Sequence, residues 1–135
     1  MIAEKSLTLP VRIGEDVVRV RQAVRAEATG IGLSLVDQTK LITAASEIAR
    51  NTIDYGGGGE LHLEVVNVSG RRGVRLEFTD KGPGIADIGK ALTDGYTTGG
   101  GLGLGLSGAK RLVNEFDIKS AAGQGTVVTL LRWKA

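Results

Sequence analysis

Glu47 and Asn51 stand four residues apart, a spacing that on a helix puts a carboxylate and an amide on one face, with Thr43 and Asp54 extending the line. Such a pair can act as proton acceptor and magnesium ligand, although a solvated helix face would carry the same residues. Asp80 closes the alternation Val74, Leu76, Phe78 and therefore falls on the apolar side of a strand. An ionised carboxylate there needs a donor, and Lys81-Gly82-Pro83-Gly84-Ile85 opens the backbone beside it, as suits an acceptor at the end of a nucleobase pocket. Taken alone, an Asp in an ordinary turn after a strand reads the same way. The most informative stretch is Thr97-Thr98-Gly99-Gly100-Gly101-Leu102-Gly103-Leu104-Gly105-Leu106. A glycine run that turns into a helix exposes backbone N–H groups, which is how a chain offers donors to phosphate.

Several glycine-rich phosphate loops fail the test of context. A P-loop needs Lys and then Ser or Thr after its last glycine, but Gly108 is followed by Ala109 and Lys110. Gly103-x-Gly105-x-x-Gly108 matches the dinucleotide fingerprint as a string, yet that fingerprint follows a strand directly, whereas Asp94-Gly95-Tyr96-Thr97-Thr98 reads as loop. A flexible linker is opposed by Leu102, Leu104, Leu106, Ala109, Leu112 and Val113, which carry the apolar spacing of a helix.

The 135 residues suit one ordinary domain, residues 1–135, with 41% hydrophobic and 24% charged residues typical of a globular chain. The absence of cysteine removes disulfide and thiolate chemistry, and one histidine, His62, makes neither a zinc site nor a hydrolase triad. His62 alternates with Leu61 and Leu63 and is expected to face solvent. A net charge of +2, scattered basic residues and few aromatics give no support to nucleic-acid binding. No apolar run suits a membrane span, and the N-terminus lacks the apolar core of a signal peptide, so a cytoplasmic location is the expectation.

The elements that would position these residues follow from periodicity. Ser6 to Ile13 reads as an edge strand around Pro10, and Glu15 to Ala28 as a helix through Val17, Val18, Val20, Val24 and Ala28, closed by Gly30-Ile31-Gly32. Ser34 or Asp37 caps a second helix that runs to about Tyr55 on the stripe Leu41, Ala45, Ile48, Ala49, Ile53, and Gly56 to Gly59 ends it. Glu60 to Val68 and Val74 to Thr79 form a hairpin with Ser69 to Gly73 as its turn. A short helix near Ala86 to Leu92, the glycine-rich segment, a helix to about Glu115 and strands Phe116 to Ala121 and Thr126 to Trp133 complete the order. The fold class expected is α/β: a two-layer sandwich of a mainly antiparallel mixed sheet with helices on one face.

Glu-x-x-x-Asn on a helix, Asp-x-Gly-x-Gly-Ile after a strand, the Gly/Leu segment and Gly-x-Gly-Thr, in that order and spacing, resemble the GHKL ATPase family across nearly the whole chain. The resemblance implies that Glu47 is the base, that Asn51 holds Mg²⁺, and that Asp80 accepts a hydrogen bond from the adenine amine of ATP. It further implies that Gly82, Gly84 and Ile85 shape the adenine pocket. Thr98, Gly99, Gly100, Gly101, Leu102, Gly103, Leu104 and Gly105 would form a lid over the phosphates, and Thr126 would support the base from the last strands.

A free-standing domain of this length looks like the small bacterial serine/threonine kinases of partner-switching pathways. Asp94 to Leu106 and Ala109 to Phe116 resemble the stressosome switch kinases more closely than the anti-sigma factor kinases. The implied reaction is transfer of the ATP γ-phosphoryl group to Ser or Thr of a STAS-domain protein, with a PP2C-type phosphatase as a second partner and a homodimer left open. Nucleic acid and membrane are not expected as partners. Arg50 and Lys81 lie beside motif residues, where phosphate or partner contact and plain exposure are both open, and no Lys or Arg lies between Gly95 and Ala109. The alternative reading is an anti-sigma factor that sequesters a sigma subunit in an ATP-dependent way.

Overall fold

Alternating apolar residues build five strands, paired in the order β1-β2-β3-β5-β4, in a computed structural model that describes residues 1–84 and 105–135. The strands are β1 (Ile2–Val11), β2 (Gly59–Val68), β3 (Arg71–Asp80), β4 (Glu115–Ser120) and β5 (Thr126–Trp133). All described pairings are antiparallel. Among the described residues three helices accompany them: α1 (Gly14–Gly30), α2 (Leu35–Asp54) and α3 (Gly105–Arg111). β1 lies at the sheet edge, where Pro10 costs no ladder bond on its free side.

One face of the sheet carries Leu61, Leu63, Val74, Leu76, Phe78, Val128 and Leu130, all buried against Val20 and Val24 of α1 and Leu41, Ala45, Ile48 and Ala49 of α2. The α/β layering expected from the sequence is present. The opposite face is mixed: Arg75 bridges Glu64 at 3.1 Å and Glu77 at 3.3 Å, Thr8 Oγ1 lies 3.1 Å from His62 Nδ1, and Val66 and Leu131 are buried among these polar residues. No helix among the described residues is long and apolar enough to cross a membrane.

Local chemistry sets the boundaries. Ser34 caps α2 by accepting from the Asp37 backbone N–H at 3.1 Å. Helix α1 closes with Leu33 N–H on the Ala28 carbonyl and Gly32 N–H on that of Thr29, both 3.0 Å, the paired pattern that satisfies the last orphan carbonyls. At its start, Asp16 Oδ2 accepts from the backbone N–H groups of Arg12 (2.9 Å) and Ile13 (3.1 Å), and Oδ1 accepts from Arg19 at 2.8 Å. The Arg12 and Ile13 amides, more than the Arg19 guanidinium, hold the Asp16 carboxyl below the usual carboxylate range.

The structure corrects four readings of the sequence. The β2–β3 turn is only Ser69-Gly70, both with positive φ (52° and 87°) as a two-residue hairpin requires, and not the stretch to Gly73. Gly73 lies within β3 and is buried: a Cβ there would sit 2.8 Å from Trp133 Cε3 of β5. Val18 is exposed rather than part of the α1 core face. Helix α3 stops at Arg111, not Glu115, because Leu112 and Val113 reach the core from a turn and β4 begins at Glu115. The first strand also starts earlier than read, at Ile2. The helix expected near Ala86 to Leu92 lies outside the described residues.

Candidate functional site

Asp80 is the last residue of β3, one end of a central strand, and it faces Gly59 of β2 on one side and Thr126 of β5 on the other. Val74, Leu76 and Phe78 on the same side are buried, so the alternation delivers the half-buried carboxylate to the rim of the core. Its Oδ1 accepts from the Gly82 backbone N–H at 2.8 Å. Among the described residues Oδ2 has no donor, so one anionic acceptor stays available to a ligand.

Close backbone packing surrounds that carboxylate. A Cβ on Gly82 would lie 2.6 Å from the Gly56 carbonyl oxygen, and one on Gly125 would lie 3.0 Å from Lys81 Cα. Gly84 is pressed against the Ala121 carbonyl. The Gly123 N–H donates to the Pro83 carbonyl at 2.6 Å, which joins the loop after β3 to the β4–β5 turn. In that turn Ser120 Oγ donates to the Gly125 carbonyl at 3.0 Å and lies 2.8 Å from Thr126 Oγ1. Asp80, Gly82 and Gly84, neighbours in the chain, thus meet the sequence-distant Thr126 at one end of the sheet.

Helix α2 brings the second group. Glu47 and Asn51 are half-buried, one helical turn apart, on a helix whose other face buries Ile48, Ala49 and Thr52. The Asn51 carbonyl receives Tyr55 N–H at 2.9 Å and Gly56 N–H at 3.3 Å, and the Thr52 carbonyl receives Gly58 N–H at 2.9 Å. This winding turns the chain straight into β2 and sets Gly56 against Asp80. Asn51 is therefore tied through one turn of backbone to the Asp80 rim, with Glu47 one turn further back. Neither side chain has a hydrogen bond or ion pair among the described residues.

Gly105 opens α3. Ile85, Thr98, Gly99, Gly100, Gly101, Leu102, Gly103 and Leu104 lie outside the described residues. Arg50 and Lys81 are exposed. His62 faces the side of the sheet away from the helices, beside Thr8.

Three contributors were not singled out from the sequence. Ser120 continues the inward alternation Phe116, Ile118, a polar residue in an apolar phase that could have drawn notice as Asp80 did. Gly56 sat within a run read only as a helix terminator. Asp16 fixes the β1–α1 connection, whose Arg12 Cα packs where a Cβ on Gly58 would lie 3.4 Å away; an acidic residue in a first helical turn was its only signal.

No cluster of His, Cys, Asp or Glu among the described residues could hold a metal by itself. A cation here would therefore draw on a neutral oxygen such as the Asn51 amide together with ligand phosphates and water, a mode that suits Mg²⁺. The glycines at this end of the sheet let the loop after β3, the α2–β2 link and the β4–β5 turn pack backbone against backbone, which fixes the carboxylate of Asp80.

Residues 36–135 match the model of the histidine kinase-, DNA gyrase B- and HSP90-like ATPases. The chain is 45% identical over 118 residues to the serine/threonine-protein kinase RsbT of Bacillus subtilis (strain 168), covering 87% of this chain and 89% of RsbT. It is 27% identical over 118 residues to the anti-sigma F factor of Thermoanaerobacter sp. (strain X514), covering 84% and 82%. Among solved structures, the RsbU and RsbW domains of Rv1364c from Mycobacterium tuberculosis superpose with a TM-score of 0.64 at 24% identity, over 95% of this chain and 32% of that longer one. The mycobacterial sensor histidine kinase MprB superposes at 0.56 and 17% identity, over 96% and 97%. At those identities the two structures speak for the fold.

Proposed function

The chain belongs to the histidine kinase-, DNA gyrase B- and HSP90-like ATPase family and is an ATP-using protein serine/threonine kinase, and we propose that it phosphorylates STAS-domain proteins in a partner-switching pathway. The observation that carries this reading is the 45% identity to RsbT across 89% of that kinase.

The site gives the reading its chemistry. Asp80 Oδ2 accepts from the adenine amine, while Oδ1 stays on Gly82. Gly82, Gly84 and Ile85 are assigned to shape the adenine pocket, the two glycines by letting the loop after β3 pack closely on its neighbours, and Thr126, steadied by Ser120, supports the base from β5. Glu47 takes the proton of the target Ser or Thr hydroxyl as its oxygen bonds to the γ-phosphorus and the bond to the ADP oxygen breaks. Bound through Asn51, Mg²⁺ would supply neutralisation of phosphate charge, which with positioning is most of what phosphoryl transfer requires. Residues 98–105 are assigned the lid role.

A phosphate added to a hydroxyl at a docked interface introduces charge where a neutral group had packed, so the phosphorylated STAS protein leaves. The freed kinase then engages and activates a PP2C-type phosphatase. The place of action is the cytoplasm, where ATP is supplied. The 27% identity to an anti-sigma F factor favours one second reading, in which a sigma subunit is the held partner.

The test is incubation of the purified chain and STAS proteins encoded nearby with γ-labelled ATP and Mg²⁺, followed by size-exclusion chromatography. Label on Ser or Thr of the STAS protein and loss of co-elution are expected. A sigma factor that co-elutes while STAS proteins stay unlabelled gives the second reading, and label on His62 overturns both.

A further inference from the structure

Four glycines, Gly56 to Gly59, link α2 to β2, and they are glycines for different reasons. Gly57 and Gly58 have φ of 73° and 97°, the left-handed region that other residues adopt at a cost. Gly56 lies outside that region, so its conformation is open to any residue. Space is what it lacks. A Cβ on Gly56 would fall 2.5 Å from Asp80 Oδ2 and 2.7 Å from the Thr52 carbonyl oxygen. Gly57, next to it, has nothing within 4 Å of its own Cβ position.

The same residue is packed from a third side. The Cβ position of Gly82 is 2.7 Å from Gly56 Cα, so the loop that binds Oδ1 of Asp80 rests on the backbone of Gly56. The carboxylate is thereby held between Gly82 N–H and the bare Cα of Gly56. From this geometry we infer that Gly56 is a positioning residue for adenine recognition: its missing side chain fixes where Asp80 Oδ2 stands. The inference rests on the reading of Asp80 as the adenine acceptor. Any side chain at position 56 turns the carboxylate or lifts the loop after β3, and the acceptor leaves the plane in which the amine arrives. Gly56 touches no substrate in this account and acts through Asp80.

The experiment is a double-mutant cycle on the full chain, Gly56→Ala and Asp80→Ala singly and together, with Gly57→Ala as a neighbour. ADP affinity is read by calorimetry with Mg²⁺ present, and melting temperature is read without nucleotide. Gly56→Ala is expected to weaken ADP roughly tenfold or more in the presence of Asp80, and by less than about threefold once Asp80 is Ala, because the carboxylate contact is then gone and only the contact with the Thr52 carbonyl at 2.7 Å is left. Gly57→Ala is expected to lower the melting temperature through its left-handed backbone while ADP binds within about twofold of wild type.

Equal effects of Gly56→Ala in both backgrounds, or an equal loss from Gly57→Ala, overturn the inference while leaving Asp80 as the base acceptor. If Gly56→Ala unfolds, melting decides: recovery in the double variant supports the Gly56–Asp80 contact, and none overturns it. Unchanged ADP affinity in Asp80→Ala alone removes the reading of Asp80 and the inference with it.

Discussion

Replacing Asp80 with Asn tests the base contact while disturbing its surroundings least. Oδ1 is held by the Gly82 N–H at 2.8 Å, and the carbonyl oxygen of an Asn can keep that bond. The amide nitrogen then takes the place of Oδ2, and an incoming adenine amine meets a donor instead of an anionic acceptor. One charge-assisted hydrogen bond is lost and two donors are opposed, a cost of about 1.5–3 kcal/mol. At 1.4 kcal/mol per decade this is roughly a 10- to 150-fold rise in Kd. The new amide also offers a donor to the carbonyl of guanine, so GDP should hold or improve as ADP weakens. Parallel calorimetric titrations with ADP and GDP read both changes, with the unliganded melting temperature as a check on the fold. ADP binding within about threefold of wild type, or a matching fall for GDP, would refute the assignment of Asp80.

Glu47→Gln should bind MgATP normally yet phosphorylate its partner roughly 10²–10⁴ times more slowly, as single-turnover transfer of label will show. Asn51→Ala should lose the part of ATP affinity that depends on magnesium, so titrations with Mg²⁺ and with EDTA should converge. The lowered Asp16 pKa stabilises the fold fully above the usual aspartate range, and that contribution disappears as pH falls through the depressed native value. Denaturant midpoints measured from neutral pH downward should thus fall more steeply for wild type than for Asp16→Asn at the acid end. Arg132 donates to Asp37 at 2.7 Å and to the Leu112 carbonyl at 3.0 Å, both largely shielded from water. Arg132→Leu should destabilise by roughly 3 kcal/mol in urea unfolding, because Asp37 is left without its partner.

Much of this arrangement can be read from periodicity, because burial on one face writes itself into alternating residues. β5 from Thr126 to Trp133, the Ser34 cap and the in-phase position of Asp80 follow from side-chain pattern and cap chemistry alone. What periodicity misreads is contact made by other means. Leu112 and Val113 continue an apolar spacing but meet the core from a turn, so the helix appeared longer than it is. Gly73 looks like turn punctuation and is instead small because Trp133 lies over it, a long-range fact with no local sign. Around Asp80 the motif glycines are visible in the sequence. The pairing of Asp80 with Thr126, and the hold of Ser120 on Gly125, depend on strand register that one strand's pattern does not reveal.

That register has a consequence for how the molecule assembles. Gly59 reaches Asp80 through the β2–β3 hairpin, which closes over a two-residue turn, so half of the rim can form early and locally. Thr126 arrives only after the chain has passed through the glycine-rich segment, α3 and β4, so the other half waits for a distant loop closure. A nucleotide that needs both halves has little to bind in a partly folded chain. If the proposed site holds, its binding energy falls almost entirely on the completed fold, and ATP would draw late intermediates through to the native state.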